Sequence, residues 1–204
     1  MSEARGWFAW NRDLLAASAS GLVGALALAT STYNVYLQRQ QVRAQVWPRL
    51  NLDDDWSDDV VTLQVQNRGM GPANVKRVRV SVDGAPAGDW VAAILALLKK
   101  KSMRLPNINK LEGQVMSPGF QIAPLKISGP DAVEFLKQRQ RLAFEACYCS
   151  TLDECWVLSV PNLAEESTTI AVEDCKADAK PFESVNAKTL DQILEKLSPD
   201  AGTH

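Results

Sequence analysis

The chain has 204 residues, of which 46% are hydrophobic and 23% charged, with 11 glycines and 10 prolines. That is the composition of one folded domain of ordinary size with appendages. It excludes a large multidomain enzyme, a collagen and a disordered chain, and the formal net charge of -2 excludes a nucleic-acid binder that works through overall basicity. The single histidine, His204, excludes histidine triads and histidine-rich metal sites within this chain.

From Leu14 to Gln38 there is no charged residue, with Asp13 before the run and Arg39 after it. Crossing a hydrocarbon core takes about 20 mostly apolar residues, so the stretch is expected to be a long N-terminal transmembrane helix, even with Ser18, Ser20, Thr30, Thr32 and Asn34 in it. Trp7 and Trp10 precede the run and Tyr33 and Tyr36 close it. The two pairs are roughly 35 Å apart along a helix, as interfacial aromatic belts require. The residues after it favour a helix until Pro48, and Arg39 and Arg43 fall on one face where they can reach lipid phosphates. Arg5, Arg12 and Ala27-Leu28-Ala29 also suit a cleaved signal peptide, but the helical continuation favours a retained anchor. Basic residues are nearly balanced, Arg5 and Arg12 against Arg39, Arg43 and Arg49, so they do not orient the span. Ala17 and Gly21 have the small-x-x-x-small spacing through which such a helix could form a homo-oligomer.

Beyond Pro48 the pattern changes to period two. Val61, Leu63 and Val65 alternate with polar residues, as do Val78, Val80 and Val82. Further strands are expected over 47–52, 113–116, 120–127, 142–149 and 155–160. About seven short strands separated by turns suit an antiparallel sandwich-like domain, mainly β. The acidic run from Asp53 to Asp59 lacks the glycine and closing glutamate of a calcium loop and reads as a solvated hairpin tip. The loop Asn67-Arg68-Gly69-Met70-Gly71-Pro72 is followed by a strand-like stretch, not by a helix with Lys-Ser/Thr. Its glycines are therefore assigned to a demanding strand connection and not to a phosphate cradle.

One short helix is expected after Asp89 as N-cap, apolar from Trp90 to Leu98 and ending in Lys99, Lys100 and Lys101. It can plug an open end of the sandwich. Alternatively Trp90, Ile94, Leu97 and Leu98 contact a bilayer surface or a partner while the lysines meet anionic headgroups. A second short helix is expected over 131–140.

Four cysteines, Cys147, Cys149, Cys155 and Cys175, suit two disulfides in an oxidising compartment. In the simplest hairpin register Cys149 faces Cys155, leaving Cys175 for Cys147. A metal site and buried free thiols are the competing readings, the metal one weakened by the lack of Cys-x-x-Cys knuckles. After residue 164 the chain becomes acidic and polar, with an amphipathic helix expected around 188–197.

The segments Gln40 to Pro48, Asn67-x-Gly69-x-Gly71-Pro72-Ala73 and Cys147-Tyr148-Cys149-Ser150-x-x-Asp153-x-Cys155-Trp156 together resemble a group of uncharacterised bacterial single-pass membrane proteins. The resemblance covers the anchor and the sheet region to about Val160, and neither the lysine-ended helix nor the acidic tail falls under it. It implies an envelope protein with one N-terminal helix and a β domain, and it carries no catalytic residue. The expectation is therefore an anchor over 1–46, a β domain over 47–164 and a tail over 165–204. The chain is read as a binding or structural module of the inner membrane facing the periplasm, not an enzyme, without cofactor or metal. Its partners are the bilayer and, beyond it, an envelope protein. Two alternatives are a thiol-redox protein using Cys149 and Cys155, and a cytoplasm-facing membrane-surface sensor or scaffold.

Overall fold

The computed structural model describes residues 3–176, 178 and 181–182, with side chains described from residue 16 onward except at 44. The side chains of Trp7 and Trp10, the helix expected over 188–197 and His204 lie outside the described residues. The chain divides into two compact units, Met1–Gln45 and Val46–His204.

The first unit is a single helix, α1, Glu3–Gln45. It is helical over the expected stretch, but among the described residues no helix is both long and apolar enough to cross a membrane. From Ala16 onward hydroxyl and amide residues dilute the run, and Leu14 and Leu15, which open it in the sequence, are not among the described side chains. Apolar residues are spread around its whole circumference. Leu22, Val23, Leu26, Leu28 and Val35 are all exposed.

The second unit is mainly β. Its strands are β1 Leu50–Ser57, β2 Val60–Asn67, β3 Ala73–Val82, β4 Ala85–Pro86, β5 Asn107–Ile108, β6 Val115–Met116, β7 Gln121–Ser128, β8 Leu142–Cys149, β9 Cys155–Val160 and β10 Thr168–Val172. Helices α2 Trp90–Leu98 and α3 Pro130–Gln138 interrupt them. One sheet has the order β1-β2-β7-β5. The other runs β10-β9-β8-β3-β4, with β6 also paired to β3. Every pairing is antiparallel.

Period-two burial explains why these segments are strands. Val61, Leu63 and Val65 of the first sheet and Val78, Val80, Val82, Phe144 and Leu158 of the second point into one shared core. Two register shifts adjust the pattern. In β3 an irregularity between Val75 and Arg77 lets Val75 and Val78 both face inward although they are three apart. In β7 an extra residue falls at Ala123-Pro124, where a proline without an N–H is tolerated.

Helix α2 begins where expected, with the Ala92 N–H donating to the Asp89 carboxylate at 2.7 Å, and ends at Lys99 in a left-handed conformation. Trp90, Ile94, Leu97 and Leu98 are buried in the core, with Trp90 stacked on Phe144 and edge-on to Phe182. Contact of these four side chains with a bilayer or partner is thereby corrected: an apolar helix this short gains more by closing a core than by facing water. Lys100 pairs with Asp131 at the start of α3.

The acidic run also differs from expectation. Asp53, Asp54 and Asp55 lie within β1, because Trp56 pairs with Val61 and Ser57 with Val60, and only Asp58 and Asp59 form the tip. Asp58 takes the positive φ of 51° that this tight turn needs. Strands β4 and β5 are two residues each, too short to show periodicity. Strand β10 lies beyond residue 164, in the polar stretch read from composition as a tail.

Candidate functional site

The chemically distinctive place on the domain is the outer face of β8 near its C-terminal end. Tyr148 points inward and is fully buried, and the Leu50 N–H donates to its hydroxyl at 3.3 Å, tying the first strand of one sheet to the middle of the other. Burial raises the Tyr148 hydroxyl pKa above the tyrosine range, partly offset by that bond and by one with Thr169. Its neighbours Cys147 and Cys149 therefore share the opposite face.

There the hairpin brings Cys149 opposite Cys155, with Cα atoms 4.0 Å apart, and the two are bridged. The Ser150 N–H bonds the Glu154 carbonyl at 2.8 Å in the next pair, so Cys149 and Cys155 occupy the closer, non-hydrogen-bonded position that a cross-strand bridge requires. The Ser150 hydroxyl accepts from the N–H groups of Leu152 and Glu154, which shapes the loop. Cys147 is bridged to Cys175, just after β10. Among the described residues no cysteine is free.

The two bridges touch. The Sγ atoms of Cys149 and Cys175 are 3.7 Å apart, and those of Cys149, Cys155 and Cys175 all lie within 4.8 Å of one another. In the oxidised state these sulfurs are not thiolates and cannot serve as the anionic ligands a metal ion needs.

Beyond Cys175, Lys176 and Asp178 are held against β3 of the second sheet. Arg77 donates to the Lys176 carbonyl, and Arg79 makes a two-pronged hydrogen bond with the Asp178 carboxylate. That bond keeps the Asp178 carboxyl below its ordinary range, against a smaller opposing effect of burial, and raises the Arg79 guanidinium. Glu145 lies 3.8 Å from Arg79 and Arg77 3.9 Å from Asp178, so beside β3 and β8 two guanidinium groups share two carboxylates. On the other sheet Asp53 pairs with Arg68 at 2.7 Å and Asp54 with Arg139 at 3.3 Å, which gives two aspartates of the acidic strand arginine partners.

A second organised place was missed at the sequence level. Asn67 is fully buried at the end of β2, where its amide donates to the carbonyls of Gly71 and Met116 at 2.8 and 2.9 Å. Its carbonyl oxygen accepts from the N–H groups of Gly69 and Arg49 at 2.9 and 3.2 Å. One side chain thus holds together the entry strand, the glycine loop and β6. The glycines are required for another reason than the one expected. Gly69 and Gly71 do not have positive φ, but a Cβ on Gly71 would sit 2.0 Å from the Val46 carbonyl oxygen, and one on Gly69 2.3 Å from the Arg49 nitrogen. The only signal in the sequence is the alternate spacing Asn-x-Gly-x-Gly.

On α1, Tyr33 and Tyr36 are exposed, and Gln40 donates to the Tyr36 hydroxyl at 3.1 Å. Arg39 and Arg43 are exposed on the same helix. Comparison with known proteins finds no matching family model, no matching curated protein and no matching solved structure.

Proposed function

We propose that this chain is a membrane-anchored binding or structural module of the bacterial envelope, in which α1 is the anchor and the disulfide-bridged β domain is the working head. The observation that carries it is α1 itself: from Leu22 to Leu37 it holds no charged residue, and Leu22, Val23, Leu26, Leu28, Val35 and Leu37 are exposed without gathering on one face. Apolar side chains distributed in this way cannot all be covered by packing one face on a domain, and leaving each of them in water is unfavourable.

The hydroxyl residues that dilute the run cost less than their number suggests. Ser20 donates to the Ala16 carbonyl at 2.8 Å, Thr30 to that of Leu26 at 2.9 Å and Thr32 to that of Ala29 at 2.9 Å. These three hydroxyl protons are satisfied within the helix, so none of the three is left unpaired on entering a lipid phase. Tyr33, Tyr36, Arg39 and Arg43 follow in the order aromatic then basic, which suits the passage from acyl chains to headgroups. Two bridges in a small domain suit an oxidising compartment, hence a periplasmic head. The paired charges of the grooves favour a binding or structural role over catalysis.

Carbonate extraction of membranes from bacteria expressing the full chain tests the anchor. The intact protein is expected in the pellet, whereas release into the supernatant overturns it. A reporter placed after Pro48 is expected to be active only as a periplasmic fusion.

A further inference from the structure

We propose that the two disulfides form an exchange site, in which Cys175 can pass from Cys147 to Cys149, so that the domain accepts two electrons from a dithiol donor by rearranging its bridges. The inference is independent of the anchor and rests on the contact between sulfurs. The Sγ atoms of Cys149 and Cys175 are already at van der Waals distance, 3.7 Å, and a closure of about 1.7 Å makes a bond. Cys147 and Cys149 stand two residues apart on the same face of β8, so the two alternative partners of Cys175 are presented side by side by one rigid strand.

A thiolate of the donor attacks the Cys155 sulfur, a donor–Cys155 bond forms, the Cys149–Cys155 bond breaks and Cys149 leaves as thiolate. The second thiol of the donor, deprotonated, attacks the donor sulfur of that mixed disulfide. This closes the donor's own disulfide and releases Cys155, which takes up a proton. The Cys149 thiolate attacks the Cys175 sulfur, forming Cys149–Cys175 and expelling Cys147, which takes up the second proton. The donor dithiol is oxidised to its disulfide, and the protein ends with one bridge, Cys149–Cys175, and two thiols, Cys147 and Cys155. The last step is internal and changes no oxidation state.

Burial orders the sulfurs. In the oxidised fold Cys155 is 6% exposed and Cys147 1%, so a donor reaches Cys155 more readily than Cys147. Cys175 begins the segment that Arg77 and Arg79 hold on the outer face through Lys176 and Asp178, and transfer of its bridge moves the root of that strap along β8.

The direct test is Cys155→Ser in the full chain, which leaves Cys149 unpaired without any donor. Thiols are blocked with a maleimide under acid quench after incubation at neutral pH. Chymotryptic cleavage after Tyr148 then separates Cys147 from Cys149. Label divided between Cys147 and Cys149, with a Cys149–Cys175 linked peptide, is expected, and its appearance should quicken as pH rises and thiolate increases. Label confined to Cys149 at every time and pH overturns the proposal. Partial reduction of the wild-type chain with a limiting small dithiol provides a second measurement should the variant fail to fold. Cys147 and Cys155 are expected to be labelled there, and a product with Cys149 and Cys155 labelled and Cys147–Cys175 intact overturns the proposal.

Discussion

At the scale of single residues, Asn67 and Gly71 carry the junction through which the chain enters the β domain. Asn67 satisfies two buried carbonyls, of Gly71 and Met116, and two part-buried N–H groups, of Gly69 and Arg49. Replacing it with alanine should lower stability by about 1–3 kcal/mol, the cost of leaving buried polar groups unpaired, read as a shift in the urea midpoint with an unchanged slope. Gly71→Ala should cost a similar amount, about 1–3 kcal/mol for an overpacked site. The atom in the way belongs to the backbone at Val46 and cannot swing aside. Gly21→Ala, where a Cβ meets nothing, serves as the control and should leave the domain's midpoint unchanged. The Asp89 cap was legible in the sequence because a capping carboxylate acts over three residues. The Asn67 network was not, because its partners Arg49 and Met116 lie far away along the chain.

At the scale of elements, the two bridges constrain loops of different length. With sequence separations of 28 and 6, loop-closure entropy assigns about 3–4 kcal/mol to Cys147–Cys175 and about 2 kcal/mol to Cys149–Cys155. The paired variant Cys147→Ala with Cys175→Ala should therefore unfold at lower denaturant than Cys149→Ala with Cys155→Ala. The opposite order would show that the strap adds nothing to the folded domain. The Arg79–Asp178 pair adds a pH dependence of definite sign. Asp178 titrates below its unfolded value of about 3.9. Its contribution is thus complete above that value and disappears as pH falls through the lower, folded one. Arg79 is half exposed, so solvent screening limits the effect to less than about 1 kcal/mol. Asp178→Asn should be less stable than the wild type near neutral pH by no more than that. The two should converge in acid, as followed by denaturant titration at several pH values.

Strands β2, β8 and β9 were readable because each is long enough to show alternation and has a buried inward face. The cysteine pairing followed from their hairpin register. Strand β1 ran further than expected because pairing with Val60 and Val61 outweighs the low strand preference of three consecutive aspartates, which two arginines also neutralise in part. Strand β10 escaped notice because it is an edge strand with its side chains largely exposed. It therefore lacks the apolar alternation by which strands are recognised.

At the scale of the whole molecule, the chain joins a helix without a core of its own to a domain that has one. If α1 is held by lipid, Leu26→Arg in the middle of the uncharged run should move the full chain from the carbonate-resistant pellet to the soluble fraction. The charge costs about 2.5–3.5 kcal/mol at the centre of a span, while thermal unfolding of the β domain stays unchanged. Retention in the pellet with the arginine in place would place the attachment elsewhere.

The sequence by itself determined the features that arise from neighbours along the chain: the long helix, the alternating strands, the capped apolar helix and the hairpin that opposes Cys149 to Cys155. Each depends on period, capping or turn chemistry within a few residues. Only the tertiary structure decided that α2 is buried and that the glycine loop is tight against Val46 and Arg49. It also decided that Thr168–Val172 pairs at the edge of the second sheet, that Arg77 and Arg79 hold Lys176 and Asp178, and that the two bridges touch. Those outcomes depend on which distant surfaces meet, and contact energies between residues far apart in the chain leave no periodic trace in its order.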